Sequence, residues 1–446
     1  MLFLSAIIFV LSTVAAQSEA GAIFLLISPG ARAGGMGEAQ VAVANDAYAS
    51  YWNPAGLGFL KGSELALMHV NWLPNLADDL YYEFIAYRKH IPYLGTLGGH
   101  IIYLNLGEQN RTGELAEDLG TFTTYMLAFA VSYSSLLSSN SSLGLNAKIS
   151  YQHLAEIGTG SERGKGTSTD IGFDIGYMRK GLFTPRLDLG ITVTNIGPKV
   201  AFIDVAQADP QPTNFTIGFQ YRLVDSPYNR LSLVYDVDKM LVASYPDMDW
   251  DGDGFVGRYD KDGHSSKDSE YNRNGQRETA HTDPIYLAIF TSWVDDWLLG
   301  GDVDIAPSGP DSDGKIGGWE WTEDKDGDGI VDPATELKPT PEGIAYGDDG
   351  YGIYNQYGQI EVGTGDERTI MNEFDKLVHN IGVEYWYANN FALRFGYYYD
   401  KTGKIGNFTL GFGLRFAGYG FDFGYIAGKP EDALSNTMRF SMNMEF

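Results

Sequence analysis

The 446-residue sequence carries 58 acidic against 31 basic side chains, a formal charge of −27; that excludes nucleic-acid binding, which needs a basic surface to meet phosphate. It contains no cysteine, so a lipoprotein anchor, a disulfide framework and any thiolate metal or nucleophile site are ruled out. Aromatic residues at 14%, with 55 glycines and 29 tyrosines, suit many amphipathic strands better than an ordinary soluble globule.

The chain opens on the apolar run "MLFLSAIIFVLSTVAAQS", short for a bilayer-spanning helix and ending in a small-residue pattern that suits cleavage before Gln17. Residues 1–16 therefore read as a secretory signal peptide. Residues 17–61 follow, rich in glycine and alanine and too broken for a strand. From about Leu65 onward the dominant pattern is period-2 alternation, which sends successive side chains to opposite faces of a strand. In "NFTLGFGLRF", Phe408, Leu410, Phe412, Leu414 and Phe416 share one face; in "TMRFSMNMEF", Met438, Phe440, Met442, Met444 and Phe446 do. The other faces hold Asp170, Asp174, Asp188, Asn146, Lys148, Arg394, Arg415, Asp422 and many glycines.

Strands of about 9 to 11 residues with one uniformly apolar, aromatic-tipped face are what a tilted strand needs to cross a bilayer. The pattern predicts an all-β, membrane-spanning antiparallel up-and-down β-barrel of about 14 strands. Strands 1–9 occupy residues 62–239 and strands 10–14 residues 376–446. Connections after even-numbered strands are brief, such as "ANN" at Ala388; those after odd-numbered strands are longer, among them "GEQNRTGELAEDLGTF". Outer-membrane barrels have that asymmetry, with tight periplasmic turns and long external loops, so residues 240–375 are expected outside the cell. Leu241 to Phe374 carry 30 acidic and 9 basic side chains, a net of −21, leaving −6 for the rest of the chain. Residues 17–61, between a periplasmic start and strand 1, are expected to fold into the lumen as a hatch, with Asn53 and Pro54 as N-cap and first residue of a short helix. Inward glycines, including Gly176, Gly190, Gly396 and Gly411, leave room for it.

Two blocks resemble a known family. "PGARAGGMGEAQVAVANDAYASYWNPAGL", with Gly35, Met36 and Gly37 followed by Asn53, Pro54, Ala55 and Gly56, is similar to the N-terminal signature of the PorV/PorQ family, a branch of FadL-like outer-membrane barrels. "DVDKMLV" at Asp236 and "VHNIGVEYWYANNFALRFGYYYDKTGKIGNFTLGFGLRF" from Val378 resemble the family's closing strands. The resemblance implies a 14-stranded FadL-like barrel in the cell outer membrane. It implies a part in type IX secretion: binding the large translocon barrel, receiving cargo with a C-terminal signal domain and passing it to surface attachment. The expected partners are outer-membrane lipid, the translocon barrel and exported cargo. The acidic insertion departs from the family pattern.

Within that insertion "DWDGDGFVGRYD" places Asp249, Asp251 and Asp253 at positions 1, 3 and 5 of an EF-hand-like loop, Gly254 at 6 and Asp260 at 12. Calcium takes six to eight oxygens, and this spacing wraps three carboxylates and a carbonyl round one ion while glycine permits the turn. "DKDGDGIVD" repeats the start with Asp324, Asp326 and Asp328, Asp332 or Glu336 completing it; "DSDGKIGGWE" is a fainter third version. Structural Ca²⁺ is the expected cofactor. The apolar stretch "PIYLAIFTSWVDDWLLGGDVDI" fits either a helix or two strands. No HExxH, GxSxG or P-loop occurs, and the seven histidines are scattered, so no enzymatic activity is expected. Two further functions compete with secretion: a FadL-like porter admitting hydrophobic small molecules, and a calcium-stiffened surface protein. The inward residues, mostly Gly, Asp, Asn and Arg, disfavour a porter's greasy pocket.

Overall fold

The computed structural model describes residues 20–77, 79–112, 118–155, 166–202, 208–245, 281–295, 320–322, 337–339, 353–354, 360–361, 370–428 and 434–446. Fourteen antiparallel strands close into one ring. They are β1 Ser63–Asn71, β2 Tyr81–Ile91, β3 Gly95–Thr112, β4 Asp118–Ser138, β5 Ser141–Ala155, β6 Gly166–Arg179 and β7 Leu187–Ile196. They continue as β8 Asn214–Asp225, β9 Asn229–Met240, β10 Val378–Tyr387, β11 Phe391–Asp400, β12 Ile405–Phe416, β13 Tyr419–Ala427 and β14 Met438–Glu445. Each pairs with its neighbour in sequence, β9 joins β10 across the insertion, and β14 closes on β1 with Val70 opposite Arg439. Closure gives every strand a partner on each side, the condition for a sheet to cross lipid; between β6 and β7 the pairing stops at Phe173 opposite Ile196, so Gly166–Gly172 has no partner on β7.

The two faces of the wall have the polarity of a membrane barrel. On β12, Phe408, Leu410, Phe412 and Leu414 are exposed while Asn407 and Thr409 are buried; on β6, Ile171, Phe173 and Ile175 are exposed while Asp170 and Asp174 are buried. A water-soluble fold arranges these groups the other way round, so the outer face is a lipid-facing one. Among the described residues no helix is long and apolar enough to cross a membrane; the strands do so. Tyr81, Tyr103, Tyr125 and Tyr151 follow one another round the outside with ring centroids 5.9, 6.2 and 6.0 Å apart. His379 stacks between Tyr235 and Tyr399 at 6.1 and 6.4 Å. These runs form part of an aromatic girdle at the strand ends that meet the longer connections.

The connections after even-numbered strands are short, spanning 92–94, 139–140, 180–186, 226–228, 388–390 and 417–418. Ala417 and Gly418 both have positive φ, 51° and 85°, the pair of left-handed residues that a two-residue hairpin matched to strand twist requires. One expected loop is largely strand. β3 runs on to Thr112 and β4 starts at Asp118, so most of "GEQNRTGELAEDLGTF" continues the ladder past two register shifts, between Asn105 and Glu108 and between Asn110 and Thr112. Alternation weakens there because both faces of the extension are polar, which hides a strand from a hydrophobic-period reading.

Residues Leu241–Lys376 form a separate compact unit. Its described parts are short strand pairs, such as Ser244–Tyr245 with His281–Thr282, and two helices, α3 over Ile285–Thr291 and α4 over Ile370–Asp375. The first part of the ambiguous apolar stretch is thus helical. The signal-peptide residues and the calcium candidates Asp249, Asp251, Asp253, Asp260, Asp324, Asp326, Asp328 and Asp332 lie outside the described residues.

Candidate functional site: the barrel interior

The N-terminal segment, residues 20–62, holds two single-turn helices, α1 Ala31–Gly34 and α2 Ala49–Trp52, and a 3₁₀ helix over Pro54–Phe59. It touches the wall on opposite sides. The Pro54–Ala55 backbone meets Gly144 on β5, and Gly35 meets Gly411 on β12, seven strands away in a ring of fourteen. The segment therefore occupies the lumen. Backbone lies directly on backbone at these contacts: a Cβ added to Gly144 would stand 2.2 Å from the Ala55 nitrogen, and one added to Gly396 would stand 2.1 Å from the Gly37 nitrogen. Only glycine permits that approach.

Gly37 has φ +61° and donates its N–H to Thr409 Oγ1 at 2.8 Å. Met36, fully buried, sits against Gly382 on β10. Asn53 is the N-cap of the 3₁₀ helix: its Oδ1 accepts from the Ala55 N–H at 3.1 Å, and its Nδ2 donates to the carbonyls of Val41 and of Tyr177 on β6, both at 3.1 Å. Pro54 follows as the first helical residue, where a missing N–H costs nothing. The Ala55 carbonyl accepts from Ser142 Oγ at 2.6 Å, and a Cβ on Gly56 would stand 2.0 Å from the Ala44 carbonyl oxygen.

A chain of alternating charges fastens the segment to β10–β13. Arg32 of α1 forms two parallel bonds to Glu384 on β10, at 2.8 and 2.9 Å, and reaches Asp46 at 3.4 Å. Glu384 also accepts from Arg394 on β11 at 2.9 Å; Arg394 donates to Asp422 on β13 at 2.8 Å, and Asp422 accepts from Arg415 at 2.8 Å. Paired fork geometry makes the Arg32–Glu384 contact both strong and directional. Burial works against the Arg32 charge, but Glu384, with Asp46 and Asp422 behind it, outweighs it and holds the guanidinium above its ordinary value. Burial pushes the Asp46 carboxyl up, with Arg32 pulling the other way. Trp386 lies under both Arg394 and Arg415, its ring 5.5 and 5.3 Å from their guanidinium carbons. Two further links are the Asp236 carboxylate on β9, which accepts from the Gln40 and Val41 N–H groups at 2.7 Å each, and Arg439 on β14, which donates to Glu38 at 2.6 Å.

The β1–β4 side is different. Met68, Val70, Tyr82, Phe84, Ile102 and Leu104 point inward and are buried with Phe24, Leu25, Ala47 and Tyr48 of the segment in one apolar cluster. Tyr48 stacks on Phe84 at 5.2 Å, and His100 stacks on the same ring at 5.3 Å. This corrects the expectation of an interior lined mostly by Gly, Asp, Asn and Arg. That description fits β5–β14, whereas both faces of β1–β3 carry apolar side chains.

A cavity of about 950 Å³ remains, lined by Arg32, Asp46, Asp188, Arg222, Glu384 and Trp386 among others and reaching the short turns at Asn389–Asn390 and Ala417–Gly418. Arg222 and Asp188 pair within it at 2.6 Å. Arg32 and Glu384 pair there too, at 2.8 Å, and a lining this polar suits a solvated vestibule. Among the described residues no group of three or more His, Cys, Asp or Glu is arranged to hold a metal ion. The sequence signals for Arg32 and Glu384 lay inside the two motif blocks, in "GARAGG" and "VEYWY"; nothing in either block says that the two residues meet.

Several solved barrels are similar in structure. The toluene transporter TbuX of Ralstonia pickettii is 11% identical with a TM-score of 0.46, the match covering 95% of this chain and 100% of that one. The toluene transporter TodX of Pseudomonas putida is 13% identical with a TM-score of 0.45, covering 93% and 96%. A FadL homologue of Pseudomonas aeruginosa is 10% identical with a TM-score of 0.40, covering 93% and 98%. No curated protein sequence matches the chain. The family model described as type IX secretion system protein PorV matches residues 15–247, more than half of the 446 and a span that runs from before the lumenal segment to beyond β9. The chain belongs to the PorV family of type IX secretion proteins.

Proposed function

We propose that this outer-membrane barrel acts in type IX secretion by docking on the large translocon barrel and handing cargo with a C-terminal signal to surface attachment. The observation that carries the reading is the PorV match over residues 15–247, which includes both the Gly-Met-Gly and the Asn-Pro-Ala-Gly motifs. The filled lumen is consistent with it. A protein that works through its wall and loops has no need of an open pore, and here the N-terminal segment serves as a fixed hatch. The porter alternative draws on the apolar cluster along β1–β4. That cluster is occupied by the segment's own Phe24, Leu25 and Tyr48, so a path for hydrophobic molecules requires the segment to leave.

The longer connections, the acidic insertion among them, lie outside the cell in this reading, as short turns face the periplasm in such barrels. Calcium stiffens the insertion through Asp249, Asp251, Asp253 and Asp260 and through Asp324, Asp326, Asp328 and Asp332; the support is their spacing alone. EDTA is then expected to open the insertion to protease while the barrel stays intact, and equal cleavage with and without calcium removes the metal.

The docking role is tested by photo-crosslinkers placed at outward residues such as Phe421 and Phe440 in native outer membranes. Capture of a barrel much larger than this one, together with retention of unexported cargo when the gene is deleted, is the expected result. Lipid adducts alone, with secretion unimpaired, would defeat the reading.

A further inference from the structure

The chain carries a formal charge of −27, yet the end of the barrel formed by the short turns is basic. Lys61, Lys89, Arg179, Lys180, Arg186 and Arg230 stand in or beside those turns, and the exposed acidic side chains of the same end are Asp225 and Glu445. Glu64 and Asp188 lie there too, but they are buried and paired with Arg88 and Arg222. Arg222 and Arg415 have carboxylate partners as well. The cations named first form no ion pair among the described residues. An acidic protein has thus gathered uncompensated positive charge at one place.

Strand alternation says which way these side chains point. On β2, Ile85 and Tyr87 face outward and Arg88 is buried, so Lys89 is the next outward residue. On β6, Ile171, Phe173 and Ile175 face outward and Arg179 continues their side, its Nε buried without an acceptor. Arg186 is exposed in the turn 180–186, which also exposes the ring of Phe183. Aromatic residues mark the same level of the wall: Tyr87 stacks on Phe446 at 6.4 Å, and the Tyr133 hydroxyl donates to the Leu94 carbonyl at 2.7 Å. Rings beside basic side chains, whose stems lie along apolar wall while their charges reach past it, make up a surface seated among lipid headgroups. Lys180 and Arg230 line the cavity instead, Lys180 standing 4.3 Å over the Phe59 ring.

We propose that the outward cations of the short-turn rim, Lys89, Arg179 and Arg186, bind anionic phospholipid through its phosphate. Phospholipid is the occupant because Lys89 and Arg179 continue wall faces that are already in lipid, and Arg186 shares a turn with an exposed phenylalanine. Charge decides the headgroup. A zwitterionic one brings an ammonium that cancels its phosphate, whereas a net negative one supplies the counter-charge that this end lacks. Guanidinium groups add a planar fork matched to phosphate oxygens. The site does not depend on the secretion role.

Native mass spectrometry of the full chain reads the preference directly, when the protein is released from micelles that hold equal amounts of phosphatidylglycerol and phosphatidylcholine with the same acyl chains. The wild type is expected to retain phosphatidylglycerol over phosphatidylcholine. A cation near the lipid surface is worth roughly fivefold at low salt, so Lys89→Gln, Arg179→Gln and Arg186→Gln combined should cut the preference by about tenfold or more. Lys404→Gln, in the connection 401–404 at the opposite end, should leave it unchanged. The heat-modifiable band on gels reports whether each variant is folded. Should the triple variant fail, Lys89→Gln and Arg186→Gln, each at an exposed side chain, must each show a partial loss. Equal retention of the two lipids by the wild type would overturn the proposal and leave the rim to an acidic protein. A preference that the triple variant keeps would overturn it as well, because the lipid would then be held elsewhere.

Discussion

The lumenal segment is held by two unlike halves of the same wall. Toward β1–β4 it buries Phe24, Leu25 and Tyr48 among Met68, Tyr82, Phe84 and Ile102; toward β10–β13 it is fastened by Asp46, Arg32, Glu384, Arg394, Asp422 and Arg415 in alternation. The apolar half supplies affinity that depends on area and tolerates approximate shapes. The charged half supplies little net stability, because desolvating the charges offsets most of their attraction, but it penalises any arrangement that leaves one of them alone. A plug built only from the first kind of contact could slide or rotate. The second kind fixes its register, and the glycine contacts at Gly144, Gly396 and Gly411 leave no space for any other.

The comparison breaks most visibly at Arg394, whose side chain is fully buried between Glu384 and Asp422. Arg394→Ala takes a buried partner from two carboxylates at once, leaving Glu384 only Arg32 and Asp422 only Arg415, and the expected cost is about 3–5 kcal/mol. Amide hydrogen exchange in detergent should report it as loss of protection over residues 30–46, with the β1–β4 cluster still protected. If the two regions loosen together, the halves are not independent. Raising salt should not mimic the substitution, since a buried network is screened little. Asn53→Ala comes next. It removes the cap on the Ala55 N–H and leaves the Val41 and Tyr177 carbonyls without their donor, for about 1–3 kcal/mol in all. Because Asn53 ties the segment to β6, between the two halves, exchange should quicken on both flanks of residue 53 by similar factors.

The outer face of the wall was legible because lipid imposes one rule on every strand: Phe408, Leu410 and Phe412 must alternate with polar residues whatever the lumen holds. The inner face obeys no such rule. On β1–β3 it is apolar, so the period-2 contrast fades and the packing of Phe84 against Tyr48 leaves no trace in the pattern. The glycines and the Asn53–Pro54 pair mark a close backbone approach and a helix start, since each has a local conformational reason. The ion-pair chain is the least legible part. Arg32 and Glu384 are 352 positions apart, and their meeting depends on the ring closing, a property of the register of all fourteen strands and of no short stretch. The aspartate spacing at Asp249–Asp260 and Asp324–Asp332, from which calcium is proposed, is the opposite case, a local pattern read without any other part of the chain.

The smallest effect is the most discriminating for the apolar half. Phe84→Leu keeps most of the buried hydrocarbon but removes the ring on which Tyr48 and His100 stack. If area is what matters there, the loss is about 1 kcal/mol, neighbours shift to fill the space, and the charged half keeps its protection unchanged. Thermal denaturation of the detergent-solubilised barrel would register the small shift. Exchange at Tyr48 and Tyr51 would show where it falls. Were the substitution to cost as much as Arg394→Ala, the β1–β4 contacts would have to be as geometrically exacting as the ion pairs. The segment would then be keyed by shape on one side and by charge on the other, and the division of labour between the halves would be wrong.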